Sequence, residues 1–195
     1  MILPIIAYGD PVLKKEAKAI DDDYSNLQTL LANMYETMYN ASGVGLAAPQ
    51  IGLSIRLFIV DSEQVFEDMD EEESKGEVGI KKVFINPEIV ETSGKEWTYT
   101  EGCLSIPDIR EDVKRQETVV INYLDENFEE HEETYNGITA RVILHEYDHI
   151  DGILFTDYLG PVKKRLLKKR LERITKGTVD VEYRMKFPKQ RKGRK

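Results

Sequence analysis

Cysteine and histidine are both scarce in this chain: one cysteine, Cys103, and three histidines, His131, His145 and His149, among 195 residues. A lone cysteine excludes any intrachain disulfide and suits a reducing compartment, where such a thiol is buried, reactive or metal-bound. Long hydrophobic runs are also lacking. No apolar stretch approaches the roughly 20 residues that span a bilayer, so no membrane role is expected. The opening Met1–Ile6 is apolar but carries no basic leader and no small-residue cleavage site, which reads as a cytoplasmic protein. Neither an internal repeat nor a dividing linker is present, and the expectation is one domain over residues 1–195.

Hydrophobic residues make up 41% of the chain and charged residues 32%, the balance of an ordinary soluble domain. The formal charge of −9 is unevenly placed. The segment Pro161–Lys195 holds 15 Lys and Arg against Glu172, Asp180 and Glu182, a net +12, which leaves −21 on residues 1–160. That asymmetry bears on partners and not on fold.

Along the chain, Leu27, Leu30, Leu31, Met34 and Met38 recur at helical spacing within residues 24–41. Gly43 follows where a left-handed C-terminal cap would sit. A glycine-bearing loop (43–52) leads to an apolar strand at residues 56–61. Six acids among the seven residues Glu67–Glu73 mark the segment 62–79 as a solvated acidic loop. Further strands are expected at 82–85, 89–92 and 97–100, with a hairpin of 118–124 and 128–134 around residues 125–127. A second helix runs from about residue 136 through His149, and a basic third helix covers about 162–176. Strict alternation of Val179, Val181, Tyr183, Met185 and Phe187 predicts a half-buried strand, and Pro188–Lys195 reads as a charged tail. The predicted class is α+β: a β-rich body around a central metal-binding helix, with a basic C-terminal extension (161–195) of helix and strand.

Chemistry concentrates in His145-Glu146-Tyr147-Asp148-His149, an HExxH motif inside a predicted helix. Residues four apart share a helical face, so both imidazoles reach one divalent ion. Glu146 then lies beside that ion, placed to handle the proton of a water bound there. Val142, Ile143, Leu144 and residues 153–155 are apolar, so the motif is expected to be buried, and a buried histidine pair without a partner is costly. A third ligand has few candidates. The position that carries the third histidine in metzincin proteases is Phe155, His131 sits in a charged stretch, and Glu172 and Glu182 lie in the basic segment. Cys103 is the better candidate, because a cation deprotonates an adjacent thiol. Its alternative is a small buried hydrophobe.

Three motifs in order resemble the peptide deformylase family. They are Gly43–Gln50 (GVGLAAPQ), Glu101–Ser105 (EGCLS) and the HExxH, here extended as HEYDHIDG. The similarity runs from Ile2 to about Tyr158. It implies hydrolytic removal of the N-formyl group from the formyl-methionine of nascent polypeptides. It also implies Cys103, His145 and His149 as ligands of one divalent ion, Fe(II) in the cell with Zn, Ni or Co as substitutes, and Glu146 as general acid/base. By the same resemblance the Gln50 amide and the Leu104 N–H stabilise the oxyanion, Gly45 aligns the substrate backbone, Val44 borders the methionine pocket, and Arg110 meets a substrate carbonyl. On the helix, Ile138, Val142, His145 and His149 form one stripe. Ile138 and Val142 are therefore expected to help Val44 form the methionine pocket; the other reading makes them core only. Arg141 borders this region with no clear partner in the sequence.

Against the compact family pattern, the acidic stretch lengthens a loop, and a basic helix followed by a strand replaces a long terminal helix. The basic segment invites a ribosome contact near the exit tunnel, through Lys163, Lys164, Lys168, Lys169 and Arg173 on RNA phosphates. The same charge would also serve to neutralise the acidic body. A metallopeptidase cutting internal bonds would share HExxH but gains nothing from Gln50 or EGCLS. An inactive ribosome-binding relative would have lost a catalytic residue, and none is missing.

Overall fold

The computed structural model describes residues 1–67, 74 and 77–188. In chain order the elements are β1 (Ile5–Ile6), α1 (Leu27–Asn40), β2 (Gly45–Ala47), β3 (Leu57–Asp61), α2 (Glu63–Phe66), β4 (Lys81–Cys103), β5 (Ile106–Leu124), β6 (Glu130–Asn136), α3 (Gly137–Ile150), α4 (Pro161–Thr175) and β7 (Met185–Lys186). Strands β2 to β6 form one antiparallel sheet in that order, while β1 and β7 pair in parallel as a separate two-stranded ribbon. The expected α+β class holds, with α3 at its centre.

Strand β3 explains how the layers stack. Its apolar run does not alternate because both faces are covered. Phe58 and Val60 pack with Ala140, Ile143 and Leu144 of α3, and Leu57 and Ile59 pack with Leu31, Met34 and Met38 of α1. The termination of α1 differs from expectation. The left-handed residue is Ser42, with φ 54°, and the Gly43 N–H closes the helix on Met38 O at 2.9 Å. A Cβ at position 43 would lie 2.8 Å from Leu104 Cδ1, so a larger residue there would need that side chain to shift.

The three strands expected between residues 82 and 100 are one long strand, β4. Register shifts at Ile85/Glu88, Ile89/Glu91, Ser93/Glu96 and Gly102/Cys103 bend it without ending its pairing to β5. A bulge breaks the alternation a sequence shows while the ladder continues around it. Strand β5 starts at Ile106, twelve residues before the expected position, because the charged residues 110–117 conceal an inward face carrying Ile109, Val113 and Arg115. Strand β6 starts two residues late. The Asp125 carboxylate accepts the N–H groups of Asn127 (2.8 Å) and Glu129 (3.0 Å), which lengthens the loop.

Of the predicted solvated acidic loop, Asp68–Glu73 lies outside the described residues, as does the tail beyond Pro188. The ends of that loop are docked, not solvated. Ser62 is buried 2.9 Å from Thr139 Oγ1, and Glu77 accepts the Ile138 N–H at 2.9 Å at the start of α3. The basic extension is likewise part of the body: Leu167 and Ile174 of α4 are buried with Ile106, Ile109, Leu154 and Phe155. The alternation of residues 179–187 persists as half-burial, but only Met185 and Lys186 pair, because β1 offers only two residues. Among the described residues no helix is long and apolar enough to cross a membrane.

Candidate metal centre

Helix α3 projects His145, Glu146 and His149 towards the tip of the β4–β5 hairpin, where Cys103 ends β4. Cys103 Sγ lies 3.3 Å from His149 Nε2. The ligand atoms of Cys103, His145 and His149 all lie within 4.8 Å of one another. His145 Nδ1 is 2.9 Å from Glu101 Oε2. A proton on Nδ1 there leaves the Nε2 lone pair for a cation. One thiolate and two imidazoles make a donor set suited to Zn, Fe, Ni or Co. The set fits such an ion on a further ground: Glu146 Oε2 is buried beside it with no hydrogen-bond partner. Burial pushes the Glu146 carboxyl up to about 7.

The other residues weighed as ligands lie elsewhere. His131 is half-buried, not exposed, stacked on Tyr123 with Nε2 3.0 Å from Asp125 Oδ2. Phe155 stacks against the His145 ring at 6.2 Å.

Beneath the candidate ligands runs a buried charge network that carries little signature in the sequence. Glu101 accepts from Arg115 Nε and Nη2 at 2.7 and 3.0 Å and from Arg141 Nη1 at 3.0 Å. Arg115 also pairs with Asp148 at 2.8 Å, and Tyr158 donates to the same carboxylate at 3.0 Å. Burial alone would raise Glu101, but the bonds from His145 and Arg115 hold it well below the usual carboxylate range. Arg141, without a visible partner in the sequence, also donates to Val113 O and Trp97 O and lies 4.5 Å over the Trp97 ring. The one available signal was Arg115 two residues after Val113, a charge at an inward position of a strand.

Gln50 is buried at the end of the loop after β2. Its Oε1 accepts the Ala47 N–H at 2.7 Å, which turns Nε2 towards Cys103 Sγ at 3.6 Å. Because Ala47 N–H needs an acceptor, the amide orientation is fixed and its donor edge faces the ligands. Gly45 passes so close to Glu146 that a Cβ would lie 2.6 Å from Oε1, so only glycine lets β2 run along the carboxylate. These groups line a cleft of about 1090 Å³. Val44, Ile138 and Val142 are half-buried on its wall, and Leu104 follows Cys103 at the hairpin tip. The cleft also includes Arg110, exposed on β5 opposite Gly102, with no ion pair among the described residues.

The polypeptide deformylase family model matches residues 2–165. A peptide deformylase of Christiangramia forsetii is 60% identical over 196 residues, covering all of both chains, and one of Flavobacterium johnsoniae is 56% identical with the same coverage. Among solved structures, a peptide deformylase from Legionella pneumophila superposes with a TM-score of 0.76 at 38% identity, over 91% of this chain and 98% of that one.

Proposed function

Since the chain belongs to the polypeptide deformylase family, hydrolases that remove the N-formyl group from nascent peptides, we propose that Cys103, His145 and His149 hold its metal and that Glu146 is its general acid/base. The observation that carries this reading is the convergence of three ligand atoms within 4.8 Å, flanked by an unpartnered buried carboxylate. When bound by these residues, a divalent cation, Fe(II) in the cell, would supply a more acidic water and a Lewis acid for the formyl carbonyl. Glu146 accepts the proton and returns it to the departing α-amine. Gln50 Nε2 and the Leu104 N–H donate to the developing oxyanion, each at a value of about 3 kcal/mol by comparison with similar donors. Val44, Ile138 and Val142 enclose the methionine side chain, Gly45 aligns the substrate backbone, and Arg110 meets a carbonyl further along the peptide. Formate release from a formyl-Met tripeptide tests the reading, with protein purified without oxygen and charged with Fe(II) or Ni(II). Release should stop with a chelator and return on adding metal back. A correctly metallated protein that releases no formate would overturn the assignment.

The setting we infer is the cytoplasm, beside the ribosome exit tunnel, with the basic segment on RNA phosphate. Of the cations named for that contact, Lys163 pairs with Glu111 (2.7 Å), Lys164 donates to Asp157 O (2.7 Å) and Arg173 to Thr178 O (3.2 Å). Lys168 and Lys169 are exposed and have no partner among the described residues. Since α4 is part of the core, charge reversal is a cleaner probe than deletion. Lys168→Glu with Lys169→Glu should abolish low-salt co-sedimentation with ribosomes while leaving formate release intact; unchanged co-sedimentation would remove the ribosome reading.

A further inference from the structure

The two residues at the tip of the β4–β5 hairpin, Leu104 and Ser105, are held from outside the hairpin. Tyr183 donates its hydroxyl to Leu104 O at 2.8 Å, and the Tyr8 N–H donates to Ser105 O at 2.8 Å. Both donors come from the two ends of the β1–β7 ribbon. Ile5 N–H bonds Arg184 O and Ala7 N–H bonds Lys186 O, each at 2.9 Å, so the segment carrying Tyr183 is fastened to the segment carrying Tyr8. Apolar packing anchors the same extension, since Val179, Met185 and Phe187 lie against the cluster of Ile106, Ile109 and Val113. The phenol is half-buried, and residues 180–183 form part of the cleft wall. Residue 183 lies beyond the 2–165 span matched by the family model.

The ladder closes at Cys103 and Ile106, so Leu104 and Ser105 lie outside it and their carbonyls are bonded by other segments. Here the register shift at Gly102/Cys103 loosens the ladder just before the tip. A clamp on both tip carbonyls fixes the two peptide planes that follow Leu104, which restricts the φ/ψ of Leu104 and through it the direction of its N–H on the preceding peptide. We propose that Tyr183 is a positioning residue for the deformylation reaction: its hydroxyl, brought back by the C-terminal strand, holds the Leu104–Ser105 peptide and so restrains the Leu104 backbone whose N–H serves the oxyanion. The inference rests on the role given above to the Leu104 N–H. It also assigns the segment after α4 to the catalytic domain itself.

Removing one hydroxyl leaves the packing of the ring in place, so Tyr183→Phe isolates the hydrogen bond. With Fe(II)- or Ni(II)-charged protein, kcat for a formyl-Met tripeptide should fall about tenfold, as expected for a donor displaced by a fraction of an ångström. KM and metal content per chain should stay at wild-type values, because transition-state stabilisation is lost and not ground-state binding, and the melting temperature should fall only by the small cost of one half-buried hydrogen bond. Tyr183→Ala should deepen the kcat loss. An unchanged kcat in Tyr183→Phe, or a loss that follows metal content alone, would overturn the proposal while leaving the deformylase reading intact. Failure of the wild-type protein to release formate would instead strike at that reading.

Discussion

Replacing Glu146 by alanine should lower kcat for formyl-Met peptides by about 10²–10⁴-fold, the range that a positioned proton carrier contributes. The geometry makes this more than a general expectation. Glu146 is 4% exposed, one oxygen has no hydrogen-bond partner, and Gly45 clears the space beside the other. A carboxylate isolated in this way is costly to the fold. Its removal should therefore leave the melting temperature unchanged or slightly higher. Because Glu146 is not among the proposed ligands Cys103, His145 and His149, metal content should also stay near one ion per chain. Kinetics, elemental analysis and calorimetry on the same preparation separate the cases. A Glu146→Ala protein that retains wild-type kcat, or that loses activity only through losing metal, would refute the assigned role.

Arg115→Met should have the largest effect on stability. Arg115 is 8% exposed and bridges Glu101 and Asp148, both buried. Deleting one member of a buried charge network leaves its partners uncompensated, at a typical cost of about 3–5 kcal/mol. For a domain of this size that corresponds to a fall in melting temperature on the order of 10 °C. Metal affinity should fall with it, roughly 10–100-fold, because Glu101 orients His145 through Nδ1. Adding Asp148→Asn should recover part of the stability, since it neutralises one orphaned carboxylate, but should not restore metal affinity, which depends on Glu101. Thermal unfolding of metal-free and metal-bound protein, with competition titration for affinity, measures both. If Arg115→Met melts within a degree or two of wild type, the network contributes little and the account of His145 orientation fails.

Metal chemistry was legible in the sequence because it depends on local spacing. A separation of four residues places His145 and His149 on one helical face in any helix. The scarcity of cysteine and histidine then made Cys103 the better candidate for the third ligand, and the Gly43–Gln50 and Glu101–Ser105 motifs named the chemistry. The strands were legible only where alternation is unbroken. Bulges concealed the continuity of β4, and a charged outer face concealed the first half of β5.

Fold class, the HExxH helix and the residues proposed to react were legible in the sequence alone, since helical period, residue chemistry and short motifs are properties of neighbours along the chain. What only the tertiary structure decided are the pairings between distant segments. Arg115 and Arg141 meet Glu101 because the β4–β5 register and the packing of α3 bring residues 97–148 together. Gly45 owes its lack of a side chain to a carboxylate 101 positions further on, and Tyr183 reaches the Leu104 carbonyl because β7 pairs with β1. Such contacts are fixed by register and packing, and no local pattern in the chain encodes them.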